Sequence, residues 1–237
     1  MALLNLASAD RQDRNVAQAA AISLAVTTAR KGSRRLKDLI EAEGRLSAAG
    51  IPVSAFPHPR VKEVTEARTN LRRAVTRIVA DSESDLTSRI NGESVQKPLR
   101  TAETVANEYE KKLIAAAEKR RLQLCPEGVS DPLPEIPNAD QVLLLRLRRA
   151  QGELRTPLAN IAPGQLVARL RQLEEYAKEW SEKRPRLDEV IDALPASVQT
   201  FLAQAARGGA PWEIVDADVR AWLDSHDNGF AFKIVHN

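Results

Sequence analysis

Apolar positions recur every three or four residues along most of the chain, the period of an amphipathic helix; only one short stretch alternates in twos. The first stripe is Val16, Ala19, Ala20, Ser23, Leu24, Val26 and Thr27. Ser8 precedes it as the expected N-cap, with Asp10 and Asp13 in the first turn, where negative charge suits the helix dipole. Gly32 is expected to interrupt or end this helix. A second stripe, Leu36, Leu39, Ile40 and Leu46, stops at Gly50, a C′ glycine. Pro52, Pro57 and Pro59 make the next stretch a loop.

Val61 to about Ile90 reads as one long helix, with a stripe of Val64, Leu71, Val75, Ile78, Val79, Leu86 and Ile90 that Asn91-Gly92 ends. The next helix is expected from about Pro98, a first-turn proline, to Leu124. Its residues Leu99, Ala102, Ala106, Tyr109, Leu113 and Ala116 alternate by threes and fours, a coiled-coil seam. At 1.5 Å per residue both helices run roughly 40–45 Å, and their short glycine link predicts an antiparallel hairpin.

Residues 125–138 hold Pro126, Pro132, Pro134 and Pro137 and read as a stiff connector. Asn138 with Gln141 resembles a capping box opening the next helix, which carries Val142, Leu143, Leu144, Leu145, Leu147, Ala150 and Leu154. Leu166, Leu170, Leu173, Ala177 and Trp180 complete a second hairpin, expected to halt at Arg184-Pro185. Shorter helical segments follow, one closed by Gly208-Gly209, and the alternating run Phe230 to Val235 is the one strand signal. The predicted fold is therefore mainly α: long antiparallel helical hairpins in a coiled-coil-like bundle, with a small C-terminal α+β module ending in one strand. The expected organisation is a helical body (1–124), a connector (125–138), a second hairpin (139–186) and a C-terminal module (187–237).

Composition narrows the chemistry. The only cysteine in 237 residues is Cys125, which excludes an internal disulfide, a thiol-rich zinc site and a redox dithiol. The aromatic fraction is 4%, so helix packing must rest on Ala, Leu, Val and Ile, while Trp212, Trp222, Phe201, Phe230 and Phe232 concentrate in the last fifty residues. The start lacks a basic region before a long apolar run, and the weakly polar stretch 17–29 is shorter than the about 20 residues a membrane span needs. A bacterial-type cytoplasmic protein with no membrane partner is the expectation, and the excess of Arg over Lys points only to a GC-rich source.

The net charge of +3 looks bland until it is divided. Residues 1–186 carry 32 basic and 24 acidic side chains, whereas residues 187–237 carry 3 and 8. A basic body thus precedes an acidic tail.

No HExxH, CxxC, GxSxG or phosphate-binding glycine loop is present, and His58, His226 and His236 lie far apart in sequence. No catalytic, cofactor-binding or metal-ligating residue is therefore assigned, and the chain is expected not to be an enzyme. The strongest functional signal is cationic: Arg30, Lys31, Arg34, Arg35 and Lys37 crowd one segment, Arg72, Arg73 and Arg77 a second, and Lys119, Arg120 and Arg121 a third. These are candidate contacts for phosphates or an acidic partner. A fourth run, Arg146, Arg148 and Arg149, fits ion pairing along a solvated helix face. The C-terminal helices imitate a winged helix-turn-helix, but Asp216, Asp218 and Asp224 would repel phosphates. Trp212 and Trp222 are candidate docking residues of a protein-binding module instead. The expected function is a non-enzymatic helical scaffold or interaction subunit of a larger assembly, with protein partners expected and a homo-oligomer through the heptad seams left open. The alternative is a nucleic-acid-associated subunit of a bacterial DNA-processing or anti-phage defence complex.

Overall fold

The computed structural model describes residues 2–53, 58–80, 86–136, 140–225, 232 and 234–235. Its helices are α1 (Ala2–Ala48), α2 (His58–Ala80), α3 (Leu86–Asn91), α4 (Glu93–Leu124), α5 (Gln141–Arg155), α6 (Leu166–Asp192), α7 (Ala196–Ala206) and α8 (Ala217–Ser225). Two-residue strands β1 (Ala210–Pro211) and β2 (Ile234–Val235) pair in parallel, Ala210 opposite Ile234. The mainly-α class follows directly. The chain forms two compact units, one of Met1–Ala117 with Ile161–Val167, the other of Glu118–Asn160 with Ala168–Asn237.

In the first unit α1 is a single helix that passes through Gly32, contrary to the expected break, and it begins upstream of Ser8. An interior glycine costs about 1 kcal/mol of helix propensity. Packing offsets that here: Leu39, Ala42 and Leu46 downstream are fully buried. Gly50 does end the helix. At φ +74° it lets the Ile51 N–H reach back to the Leu46 carbonyl at 3.0 Å, the long bond of a Schellman cap.

A compact cluster joins four helices: Ala25 of α1, Leu71 and Ala74 of α2, Ile90 of α3, and Val95 and Leu99 of α4. The turn at Asn91-Gly92 thus returns the chain beside α2. The α2 seam differs by one position from the expected one. Ala74 is buried and Val75 is about half exposed, because the smaller side chain lets the helices approach. The α4 seam runs through Val105, Ala106, Tyr109, Leu113 and Ala117, all buried. α4 also starts at Glu93, so Pro98 lies inside it instead of opening it, with its ring buried.

In the second unit Asp140, not Asn138, caps α5: its carboxylate accepts the N–H groups of Val142 at 2.9 Å and Leu143 at 3.2 Å. Asn138 lies outside the described residues. The 125–136 segment, expected as a spacer, is fastened to helices. Val129, Leu133 and Ile136 are buried, the Gln151 amide donates to the carbonyls of Val129 and Asp131, and the Trp180 indole N–H donates to Glu127.

α6 continues through Pro185, where a stop was expected. Proline removes one backbone donor, yet the next turn is held: Leu187 is fully buried, and Arg184 both pairs with Asp188 at 2.8 Å and lies over the Trp180 ring at 5.7 Å. At the C-terminal end Phe201, Trp222 and Phe232 meet with ring centroids 5.2–6.5 Å apart, beside buried Val198, Leu202, Val219 and Leu223. The Asp216 carboxylate accepts the Val219 N–H at 2.9 Å and so caps α8.

Candidate functional site

The cationic residues picked out by sequence separate into two kinds. Arg30, Lys31 and Arg34 on α1, Arg72, Arg73 and Arg77 on α2, and Lys119 on α4 are exposed. Among the described residues none of these seven has an acidic side chain within ion-pair distance. Four others are engaged. Arg35 pairs with Glu110, Lys37 with Glu41 at 3.8 Å, and Arg120 with Glu174 at 3.3 Å. Arg121 is buried, at 7% exposure, and is withdrawn as a phosphate contact.

Arg121 instead builds a structural joint. Its guanidinium donates to Glu118 through Nε at 2.9 Å and through Nη2 at 2.6 Å. Nη1 donates to the Leu154 carbonyl near the end of α5, an acceptor that the helix itself leaves open. The other Glu118 oxygen accepts the Leu158 N–H at 3.1 Å. The hydrogen bond from Arg121 holds the Glu118 carboxyl below its ordinary pKa, against a smaller upward push from burial. The same bond raises the Arg121 guanidinium above its usual value. The signal was in the sequence: Leu113, Ala117, Arg121 and Leu124 continue the α4 seam by fours and threes, which puts Arg121 on the inward face.

In the fourth basic run two arginines find acids, though distant in sequence and not three or four residues away, and the third lies on a ring. Arg146 faces Glu179 at 3.9 Å, Arg148 pairs with Glu135 at 3.1 Å, and Arg149 lies 5.7 Å over the Tyr176 ring. The two candidate docking tryptophans part company. Trp222, at 9% exposure, belongs to the aromatic core and is withdrawn as a contact residue. Trp212, at 45%, stays at the surface with the Arg220 guanidinium 5.2 Å over its ring.

Apolar exposure, which the helical stripes did not reveal, is concentrated on α1. Val16 and Leu24 are 66% and 69% exposed, and Ile22 and Val26 are each 42%. In the same stretch Ala25 packs into the four-helix cluster. Opposite Ala25, at helical spacing, Val16, Ala19, Ala20, Ser23 and Thr27 form an uncovered stripe that leads into Arg30, Lys31 and Arg34. A smaller apolar pair, Val142 and Leu145, is exposed on α5.

No group of three or more His, Cys, Asp or Glu side chains able to hold a metal occurs among the described residues. No described helix is long and apolar enough to cross a membrane. Family models, curated proteins and solved structures offer no match to the chain.

Proposed function

We propose that this chain is a non-enzymatic helical scaffold, an interaction subunit that docks a partner through helical faces. The observation that carries the reading is the uncovered stripe on α1. A helix that exposes Val16, Ile22, Leu24 and Val26 while burying Leu39 and Leu46 is amphipathic in its second half and apolar on its free side in its first. Small residues along that stripe let a second backbone come close, and the cations at its end favour acidic groups. The partner that fits is an amphipathic helix whose far end is acidic. The C-terminal module offers a second contact in Trp212.

The test is co-purification of the native complex with Val16→Asp/Leu24→Asp beside wild type. Wild type should retain a stoichiometric partner by native mass spectrometry. The variant should release it while keeping its helical circular dichroism. A partner retained unchanged by the variant, or two identical partner-free monomers, overturns the proposal. A second copy of this chain as the retained species redirects it to self-association.

A second reading rests on a different observation, the exposed and acid-free Arg30, Lys31 and Arg34. These would lie along a nucleic-acid backbone, and binding would then fall steeply with salt. Arg30→Ala/Arg34→Ala should abolish that binding; wild type that ignores DNA and RNA at low salt refutes it.

A further inference from the structure

The first unit contains a cleft of about 750 Å³ between α2 and the start of α4. Its floor is apolar, formed by Ala67, Ala74 and Pro98. Arg73 and Arg77 reach it from α2, Arg89 from α3 and Lys97 from α4. Arg73 and Arg77 stand one turn apart on a single helix face, where like charges destabilise an isolated helix by about 0.2–0.5 kcal/mol. Lys97 lines the same cleft from the facing helix.

Three carboxylates, Glu63, Glu66 and Glu93, also line the cleft, and among the described residues none of them lies within ion-pair distance of Arg73, Arg77 or Lys97. Glu66 lies seven residues before Arg73, about 10 Å along the helix, and pairs with Lys62 at 3.8 Å. Glu93 pairs with Arg100 at 3.3 Å. Among the described residues Arg73, Arg77 and Lys97 have no acidic partner within ion-pair distance. Three uncompensated cations, two of them planar guanidinium forks, thus border one concave surface that also offers the side chains of Ser94 and Asn70.

We infer that this cleft is a binding site for a phosphate group, gripped by Arg73 and Arg77 and faced by Lys97. Guanidinium groups match the oxygens of a phosphate in paired hydrogen bonds, and a lysine adds a mobile point charge. An anion there would also relieve the repulsion between the two arginines. The inference does not depend on the α1 docking face. The phosphate could be that of a small molecule or of a nucleic-acid strand, and the two sources are separable.

The experiment titrates the full chain with pyrophosphate and, separately, with a short single-stranded oligonucleotide, using calorimetry and amide chemical-shift changes. Wild type, Arg73→Ala/Arg77→Ala, Lys97→Ala and the control Lys111→Ala/Lys112→Ala, two exposed α4 cations outside the cleft, are compared. Arg73 and Arg77 are exposed, so their removal should leave the fold intact, as circular dichroism will verify. The expected result is saturable binding that weakens at least tenfold in the cleft variants and changes less than twofold in the control. Cleft-dependent binding of pyrophosphate identifies a small-molecule phosphate; cleft-dependent binding of the oligonucleotide alone identifies a strand. The site is refuted if neither probe binds saturably, or if cleft and control variants weaken binding equally.

Discussion

Replacing Arg121 with alanine removes a buried cation that ties the end of α4 to the end of α5. The side chain is 8% exposed and makes charge-assisted bonds to Glu118 together with the bond to the Leu154 carbonyl. Breaking a fully buried ion pair by deleting one partner costs about 3–5 kcal/mol. The Glu118 side chain is 29% exposed, so water regains part of its carboxylate, and about 2–3 kcal/mol is the appropriate figure. For a chain of this size that lowers Tm by roughly 4–12 °C. Differential scanning calorimetry of Arg121→Ala reads it directly. A Tm within 1 °C of wild type would refute the joint.

The pH dependence is an independent check on the same joint. The Glu118 pKa is lower in the folded than in the unfolded chain, so its contribution is complete above its ordinary value of 4.5 and fades as pH falls through the folded value. Glu118→Gln should therefore be less stable than wild type at pH 7, and the gap should narrow toward pH 3. A gap that stays constant with pH contradicts the charged pair.

Three further outcomes are expected. Trp222→Ala, which empties a position between Phe201 and Phe232, should destabilise by about 3–5 kcal/mol, whereas exposed Trp212→Ala should change stability by about 0.5 kcal/mol or less, both measured by chemical denaturation. Pro185→Ala should restore a backbone donor inside α6 and raise Tm, with about 1–3 kcal/mol gained; a lower Tm would mean that the proline is needed there. Asp140→Ala removes the α5 N-cap and should lose about 1 kcal/mol, while Asp140→Asn keeps most of it.

Most helices were legible because their apolar period is long and regular, and Gly50 and Gly208-Gly209, all at positive φ, punctuate them. The stretch expected as one helix from Val61 to Ile90 is instead divided into α2 and α3. Gly32, Pro98 and Pro185 misled for one shared reason. Each carries a local helix penalty of about 1–3 kcal/mol, and burial in the same helix outweighs it. Leu39 does this beyond Gly32, Val105 beyond Pro98, and Leu187 beyond Pro185. The cationic clusters were visible as composition, but sequence could not tell which cations had acids facing them. Arg35 finds Glu110 seventy-five residues away, and Arg120 finds Glu174 at a separation of fifty-four. Nor could periodicity show that the apolar stripe of Val16 to Thr27 lies uncovered, since an amphipathic pattern does not say which face another helix will take.

The continuity of α1 through Gly32 has a mechanical consequence. At 1.5 Å per residue its 47 residues form a rod of about 70 Å, anchored downstream by Leu39 and Leu46. Because no joint interrupts it, the rotational phase of the free end is locked to that anchor. Inserting one residue near Gly32 would rotate Val16, Leu24 and Ala25 together by about 100° relative to Leu39, so the four-helix cluster and the downstream anchor could not both keep their contacts. Removing seven would turn them by only about 20° while drawing them about 10 Å closer. Torque applied at Val16 is therefore carried through Ala25 in the four-helix cluster to the anchor at Leu39 and Leu46.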